Sequence, residues 1–287
     1  MCFVLKRRPD RAQSFLIVGL IYLLAAALGI LLFKALPFAP WLSLLIADVA
    51  ATAFVFVFSL IFGNASVYDP YWSVQPIVIA AAACAFCGLS PLGLLLLIAI
   101  CVWGVRLTAN WVYTFRGLEH QDWRYTMLRE KNGAFYPAVN FFGIHLFPTL
   151  VVYLCMLPAV FAIRENPAFN PLCAVFFVTA LLSAALQLAA DIQMQRFRAS
   201  GSGGLIRTGL WRYARHPNYL GEITMWWSVG LMAVCAMPER WYLLAGALVN
   251  TLMFLFASIP MAEKRQSRKP GYTEYKAATR MLLPIKK

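Results

Sequence analysis

The chain has 287 residues, of which 61% are hydrophobic and 13% are charged, and its mean hydropathy is +0.68. Soluble domains are typically about 45–50% apolar and about 25% charged, so this composition excludes both a water-soluble globular domain and a disordered chain. The 25 Lys and Arg residues outnumber the 12 Asp and Glu residues and give a formal net charge of +13. On so apolar a chain, this excess indicates orientation in a membrane and not binding to nucleic acid.

Eight apolar runs are candidates for membrane helices, which need about 20 residues to cross the hydrocarbon layer. The predicted spans cover residues 14–36, 41–62, 73–88, 90–113, 137–163, 171–193, 223–237 and 241–260. The third run is short, so seven spans are the alternative if that run is re-entrant. The sequence therefore predicts an all-α, polytopic membrane helix bundle.

The basic residues are distributed unevenly between the predicted loops. With eight spans both termini lie on one side of the membrane, and all basic residues except Lys34, Arg164 and Arg240 fall on that side. The positive-inside rule makes this side cytoplasmic. We therefore expect cytoplasmic termini, a retained first helix behind the basic residues 6–8, and a location in a bacterial inner membrane.

The cysteines and histidines form no pattern that indicates a metal or redox site. Six of the seven cysteines lie in apolar runs, where Cys is usually a packing residue: Cys84, Cys87, Cys101, Cys155, Cys173 and Cys235. His120, His145 and His216 show no metal-ligand spacing, so we propose no metal.

Three long segments, residues 115–136, 196–221 and 261–287, fall on the predicted cytoplasmic side, where we expect any site to open. Just before the first of them, Arg106 and Asn110 lie one helical turn apart inside an apolar run. Charge within a membrane span is costly and usually faces a cavity. Both side chains are therefore predicted to line one, although a solvated basic loop would explain the rest of the segment.

Polar residues end the sixth predicted span and lead into a cluster of glycines. Asp191 and Gln195 share one helix face, and Arg198 follows them. The glycines between residues 201 and 204 could hold a phosphate through backbone N–H groups, although a flexible turn explains them equally well.

The run from Arg215 to Glu222 predicts the start of a helix that faces a polar cavity. His216 precedes Pro217, which is favoured at the first position of a helix. Asn218 and Glu222 then lie one turn apart on the same face. A helix N-terminus of this kind suits a phosphate or a carboxamide.

Tyr272, Tyr275 and Pro284 are interleaved with basic residues in the last segment. A basic tail that binds anionic lipid is the simpler interpretation, but purely electrostatic binding would not require the aromatic rings. Rings and arginines together suit a nucleotide, because rings stack on the base and arginines pair with phosphates.

Three motifs occur along the chain from residue 119 onward. They are Gly209-Leu-Trp-Arg-Tyr-Ala-Arg-His-Pro-Asn-Tyr-Leu-Gly-Glu222 followed by Trp226-Trp227, then Pro260-Met-x-Glu263 with Arg268-x-Pro-Gly-Tyr272-x-x-Tyr275, and Glu119-x-x-Asp122-x-Arg124-Tyr125. Together they resemble the DUF1295 membrane proteins, relatives of the steroid 5-alpha-reductases. The resemblance covers about residues 65–287, which we take as the reductase-like domain, and residues 1–64 are expected to be N-terminal membrane helices of unclear role.

The resemblance implies a helical membrane reductase that binds NADPH from the cytosolic side. It would reduce a carbon–carbon double bond in a lipid-like substrate, a sterol, isoprenoid or fatty compound taken from the bilayer. Adding the residues singled out above, the expected cofactor-binding set is Arg106, Asn110, Gln187, Asp191, Gln195, Arg198, Arg215, His216, Asn218, Tyr219, Glu222, Arg268, Tyr272 and Tyr275.

The substrate half of the resemblance departs from the steroid reductases. These place a tyrosine three residues before an arginine, and the arginine matches Arg106, but Trp103 stands in the position of the tyrosine. The earlier glutamate that assists this tyrosine has Asp69 as its nearest counterpart. We therefore expect Asp69 or Tyr71 to supply the proton, with Glu222 as a third catalytic candidate.

Two other functions compete with the reductase. Integral-membrane methyltransferases of the isoprenylcysteine type, which use S-adenosylmethionine, also carry an Arg-His-Pro-x-Tyr element and a tail with Glu and paired tyrosines. Gly221-Glu222 and Trp226-Trp227 favour the reductase group instead. A non-enzymatic scaffold or transporter is the third hypothesis, and its main support is the acid Asp48 within the second span.

Overall fold

The computed structural model describes residues 9–284; Lys6, Arg7 and Arg8, on which part of the predicted orientation depends, lie outside the described residues. The described chain is helical and contains no β-strand, apart from one parallel bridge between Ala214 and Arg280. Its α-helices are α1 (Arg11–Ala35), α2 (Pro40–Ile61), α3 (Tyr71–Cys87), α4 (Pro91–Thr114), α5 (Trp123–Asn132), α6 (Tyr136–Val139), α7 (Phe147–Glu165), α8 (Leu172–Ala199), α9 (Pro217–Val234), α10 (Ala245–Met253), α11 (Ile259–Gln266) and α12 (Tyr272–Ala278). Two π-helical stretches, Asn140–Leu146 and Phe254–Ser258, join neighbouring helices.

Seven helical runs among the described residues are long and apolar enough to cross a membrane. They are Arg11–Ala35, Pro40–Ile61, Ala65–Cys87, Pro91–Thr114, Trp123–Glu165, Leu172–Ala199 and Pro238–Gln266. The predicted all-α, multi-pass architecture is thereby confirmed. The third run, which is short in the sequence, is among the seven because a turn of 3-10 helix at Ala65–Tyr68 precedes α3.

The predicted span at residues 223–237 differs from the structure. Helix α9 begins earlier, at Pro217, and its first turns carry polar side chains that include the buried Glu222. It is not among the seven apolar runs, whereas the third predicted run is, so the eighth predicted span is the one that the structure leaves out. Because two termini on the same side would require α9 to cross as well, their cytoplasmic location stays a prediction.

The described chain divides into two compact units. The first unit comprises residues 9–79 and Leu107–Tyr153. Within it α1 packs along α2, and the Tyr22 hydroxyl donates a hydrogen bond of 2.7 Å to the Val67 carbonyl. Buried apolar side chains from both helices, such as Val18 and Val55, form its core.

The second unit comprises Ala80–Arg106 and residues 154–284, and its main contact is between α8 and α9. Gly221 allows this close approach. A Cβ at that position would lie 2.8 Å from the Ser183 carbonyl oxygen and would collide with the Gln187 side chain. The helices are antiparallel, because Asp191 near the end of α8 meets Asn218 at the start of α9. This pairing positions the polar residues described next.

Candidate functional site

A buried ion cluster joins α4, α8 and α9 within the second unit. Arg106 Nη1 lies 3.0 Å from Asp191 Oδ2, and Arg106 Nη2 lies 3.6 Å from Glu222 Oε2. Arg106 Nη2 also donates to Gln187 Oε1. We call these four residues the Arg106 cluster. The cluster therefore contains two acidic side chains and one basic side chain.

Two tryptophans fix the orientation of Glu222. The Trp103 indole N–H donates to Glu222 Oε2 at 2.8 Å, and the Trp226 indole N–H donates to Oε1 at 3.0 Å. The two rings pack edge to face with centroids 4.8 Å apart. Trp103 therefore holds an acid in place, a role that could not be predicted from its position in the sequence.

Several polar atoms around the Arg106 cluster have no hydrogen-bond partner in the described chain. They include Gln187 Nε2, Asn218 Oδ1 and Arg106 Nε. Asn218 also lies within hydrogen-bonding reach of Asp191. Buried polar atoms without partners are costly, so they indicate where a ligand would place its own polar groups. They include one donor, Gln187 Nε2, and one acceptor, Asn218 Oδ1.

Glu263 joins the segment before α9 to the C-terminal tail, residues 261–284. Its Oε1 lies 2.7 Å from Arg215 Nη2 and 3.5 Å from His216 Nε2, and its Oε2 lies 2.8 Å from Lys276 Nζ. Arg215 also donates to the Thr279 carbonyl. Arg215 is thus occupied by the tail, and Glu263, which the sequence analysis quoted only as part of a motif, organises this junction.

Backbone and hydroxyl contacts complete the docking of the tail. The backbone N–H groups of Arg215 and His216 donate to the carbonyls of Arg280 and Met281, at 2.9 Å and 3.1 Å. The Tyr275 hydroxyl donates a hydrogen bond of 2.6 Å to the Trp211 carbonyl. The tail therefore lies against the segment that leads into α9.

Burial shifts the titration of three groups at this junction. The pKa of His216 is lowered to about 4, chiefly because burial disfavours its charged form, while Glu263 opposes the shift. Burial also raises the pKa of Tyr272 and of Tyr275 to about 12. At neutral pH the imidazole and both phenols are therefore uncharged. The His216 ring stacks on Tyr219, with centroids 5.2 Å apart.

Cations accumulate around the glycine cluster. Lys269 Nζ donates 2.8 Å to the Gly204 carbonyl. The pKa of Lys269 is lowered first by burial and then by the like charges of Arg265 and Arg198. We call Arg198, Arg265 and Lys269 the cationic patch. Mutual repulsion among these cations would be relieved by an anion.

The structure brings the predicted cofactor residues together in two groups of the second unit. Arg106, Gln187, Asp191, Asn218 and Glu222 meet in or beside the Arg106 cluster. The junction with the tail contains Arg215, His216, Tyr219, Tyr272 and Tyr275. Arg198 and Arg268 are exposed, and Gln195 is half-buried. Asn110 belongs to the first unit, one turn after Arg106 on α4.

The proposed proton donors, Asp69 and Tyr71, lie in the first unit and have different partners. The Tyr71 hydroxyl donates 3.3 Å to Asp48 Oδ1, and Gln75 Nε2 donates 2.5 Å to Asp48 Oδ2. Asp69 instead accepts a bond of 2.6 Å from the Tyr125 hydroxyl. Asp48 could be predicted from the sequence as an acid within the second span, but its contact with Tyr71 could not.

The Glu119–Tyr125 motif has a local structural role. Asp122 caps α5 by accepting from the Arg124 backbone N–H at 2.9 Å, and its own N–H donates 2.9 Å to Ser66 Oγ. With the Tyr125–Asp69 bond, these contacts tie α5 to the turn before α3. No group of three His, Cys, Asp or Glu side chains in residues 9–284 could hold a metal ion.

Comparison with known proteins agrees with the motifs. The family model described as "Protein of unknown function (DUF1295)" matches residues 55–279. The chain is also 28% identical over 160 residues to "Uncharacterized protein C594.04c" of Schizosaccharomyces pombe (strain 972 / ATCC 24843), a match that covers 47% of this chain and 46% of the yeast protein. No solved structure matches the chain. Since the family match extends over most of the sequence, the chain belongs to the DUF1295 family of membrane proteins.

Proposed function

We propose that this protein is a membrane oxidoreductase that binds NADPH and reduces a carbon–carbon double bond in a lipid-like substrate. The Arg106 cluster carries the proposal, because Gln187 Nε2 within it and Asn218 Oδ1 next to Asp191 are buried without partners. A nicotinamide carboxamide has one acceptor and two donor hydrogens, so it complements both atoms. When bound, NADPH would supply a hydride to one carbon of the double bond.

The cationic patch supports a cofactor with phosphates. Its three members lie beside the glycine cluster, where Lys269 already contacts the Gly204 carbonyl. Arginines pair with phosphates through two parallel hydrogen bonds, and lysine binds them as a point charge. We therefore assign the phosphates of NADPH to this patch and to the exposed Arg268. At the cationic patch, the task of the chain would be to bind and orient these phosphates.

Side chains of the Arg106 cluster and Asn218 would hold the nicotinamide ring in position. Gln187 Nε2 would donate to the carboxamide oxygen, and Asn218 Oδ1 would accept from the carboxamide N–H. Arg106 holds the Gln187 amide and Glu222 in fixed orientations. Replacing Asn218 by Ala should weaken NADPH binding about tenfold, the value of one buried hydrogen bond of about 1.4 kcal/mol. Asn132→Ala, at the end of α5, should leave NADPH binding unchanged.

For the proton that the second carbon takes, we propose the Tyr71 hydroxyl, with Asp69 as the alternative donor. Tyr71→Phe keeps the ring and removes the O–H. In proteoliposomes supplied with sterol, isoprenoid or fatty enones, it should lower NADPH consumption by about a hundredfold or more while leaving NADPH affinity intact. Full activity in Tyr71→Phe together with a loss in Asp69→Asn would move the role to Asp69.

A methyltransferase that uses S-adenosylmethionine is the second candidate. The second acidic side chain of the Arg106 cluster would also suit a sulfonium cation, and this is the observation in its favour. It leaves the cationic patch unexplained, because S-adenosylmethionine has no phosphates. Titration of each ligand in the presence of the other separates the two. Binding of NADPH without competition supports the reductase, and binding of S-adenosylmethionine alone supports the methyltransferase.

A further inference from the structure

Two cysteines meet at the other end of the α8–α9 pair. Cys173 lies in the first turn of α8, and Cys235 directly follows α9. Their Sγ atoms are 3.3 Å apart, and each thiol lies 3.3 Å from the Met232 carbonyl oxygen. Both are free thiols, and their contact joins residues 62 positions apart in the sequence. From the sequence alone, both cysteines are predicted only to be packing residues.

We propose that Cys173 and Cys235 are a redox modification site, at which the two thiols form a reversible disulfide. A disulfide bond of about 2.05 Å would require the sulfurs to approach by a little over 1 Å. Cys235 follows the last turn of α9 and is only partly buried, whereas Cys173 is fully buried. Cys235 is therefore the thiol that an oxidant reaches, and Cys173 is the thiol that resolves.

The oxidant is a disulfide of a small thiol or of another protein. The Cys235 thiolate attacks one sulfur of that disulfide, which forms a mixed disulfide and releases one thiolate. The Cys173 thiolate then attacks Cys235 Sγ and releases the second thiolate. The two cysteine protons pass to the released thiolates. Two thiols of this chain are oxidised, and one external disulfide is reduced to two thiols.

The position of the pair determines what the bond would do. From Cys173 to Asp191 the rise along α8 is about 27 Å, nearly the thickness of the hydrocarbon layer. The disulfide would thus lie at the opposite end of the helix pair from the Arg106 cluster. In the predicted orientation this end faces the extracytoplasmic, oxidising side, where disulfides persist. The bond would fasten α8 to α9 and keep Gln187 packed on Gly221.

Peptide mapping tests the site directly on the purified full chain. The protein is treated with oxidised glutathione or with dithiothreitol, alkylated, and digested with trypsin without reduction. Cys173 and Cys235 fall in separate tryptic peptides that contain no other cysteine, residues 165–196 and 216–240. We expect the two peptides to be linked after oxidation and separate after dithiothreitol. We also expect the oxidised protein to unfold about 5 °C higher.

Variants show whether the effect belongs to this pair. Cys173→Ser and Cys235→Ser should each abolish the linked peptides and the difference in unfolding temperature. Cys87→Ser, at an exposed cysteine, should retain both. Alkylated and unlinked Cys173 and Cys235 in the oxidised wild type would overturn the proposal, as would a link from either one to another cysteine. Because the wild-type map decides, the test does not depend on the folding of the variants or on NADPH binding.

Discussion

Two carboxyl groups are buried, Asp48 in the first unit and Glu222 in the second, and they differ in the groups that stabilise them. Each is about 5% exposed, and each accepts hydrogen bonds from two uncharged side chains. Glu222 also has the guanidinium of Arg106 as an ionic partner. Asp48 has no cationic partner within the described chain.

The difference indicates different tasks. A carboxylate between two indole N–H groups and an arginine is surrounded by donors only and is held in one position, as a ligand-orienting group needs. A carboxyl whose neighbours are a hydroxyl and an amide has partners that can both donate and accept. Such surroundings tolerate a proton that comes and goes, and this suits the proposed role of Tyr71.

The largest expected effect is that of Arg106→Ala. The substitution leaves Glu222 buried without its cation and breaks the ion pair with Asp191, so it should destabilise the protein by about 3–5 kcal/mol. Thermal unfolding in detergent, compared with Arg116→Ala at an exposed arginine, measures the loss. A variant as stable as the wild type would mean that the two acids do not need Arg106.

Next in size is Gly221→Ala, which tests whether the second region depends on the close contact of α8 and α9. The added Cβ would collide with Gln187 and press on the Ser183 carbonyl, so we expect a loss of about 2–3 kcal/mol. Gly19→Ala in α1 is the matched control. A Cβ there meets nothing within 4 Å, and the change should be neutral or stabilising. Equal unfolding temperatures for the two variants would contradict the packing argument.

A paired substitution addresses the two acids themselves. In Glu222→Gln the new amide N–H₂ must face an indole N–H that can only donate, and this should cost about 2 kcal/mol. In Asp48→Asn the amide of Gln75, whose Oε1 has no partner, can turn and accept, so the cost should stay below about 1 kcal/mol. Unfolding temperatures in the same detergent measure both changes. Similar losses at the two sites would remove the distinction between the regions.

The smallest expected effect is a loss of stability at low pH, caused by His216 at the junction with the tail. Because the pKa of His216 is lowered to about 4 from 6.5, the unfolded chain binds more protons between these pH values. Stability should therefore rise with pH across this interval, by at most about 1.4 kcal/mol per pH unit from this group. The wild type should lose more stability than His216→Asn when the pH falls from 7 to 5. Parallel pH profiles would show that His216 is not buried as a neutral ring.

The fold could be predicted from hydropathy where apolar residues are continuous. Helices α1, α2, α3 and α4 begin and end within three residues of the predicted runs, and α8 begins within one residue of its run but extends six residues beyond it. Helix α9 was misplaced because hydropathy detects the apolar run from Ile223, whereas the helix starts with polar turns at Pro217. The His-Pro step that marks this start was available in the sequence, and we applied it to the site and not to the span.

Individual residues of the candidate site could be predicted from the sequence, but the contacts between them could not. The cost of charge in an apolar run singled out Arg106, and helical spacing singled out Asp191 and Glu222. No spacing rule indicates that these three meet, since they lie on three helices far apart in the chain. The roles of Trp103 and Glu263 could not be predicted for the same reason. They come from tertiary contacts with Glu222 and Arg215.

The most direct test of the central claim is calorimetric titration of the purified protein with NADPH. The Arg106 cluster and the cationic patch predict binding at one site, with an affinity that falls as salt is added. Removing two members of the patch, in Arg198→Ala with Lys269→Ala, should weaken binding at least tenfold, while Arg116→Ala should not change it. No binding heat at millimolar NADPH, or equal affinity in all these variants, would contradict the account.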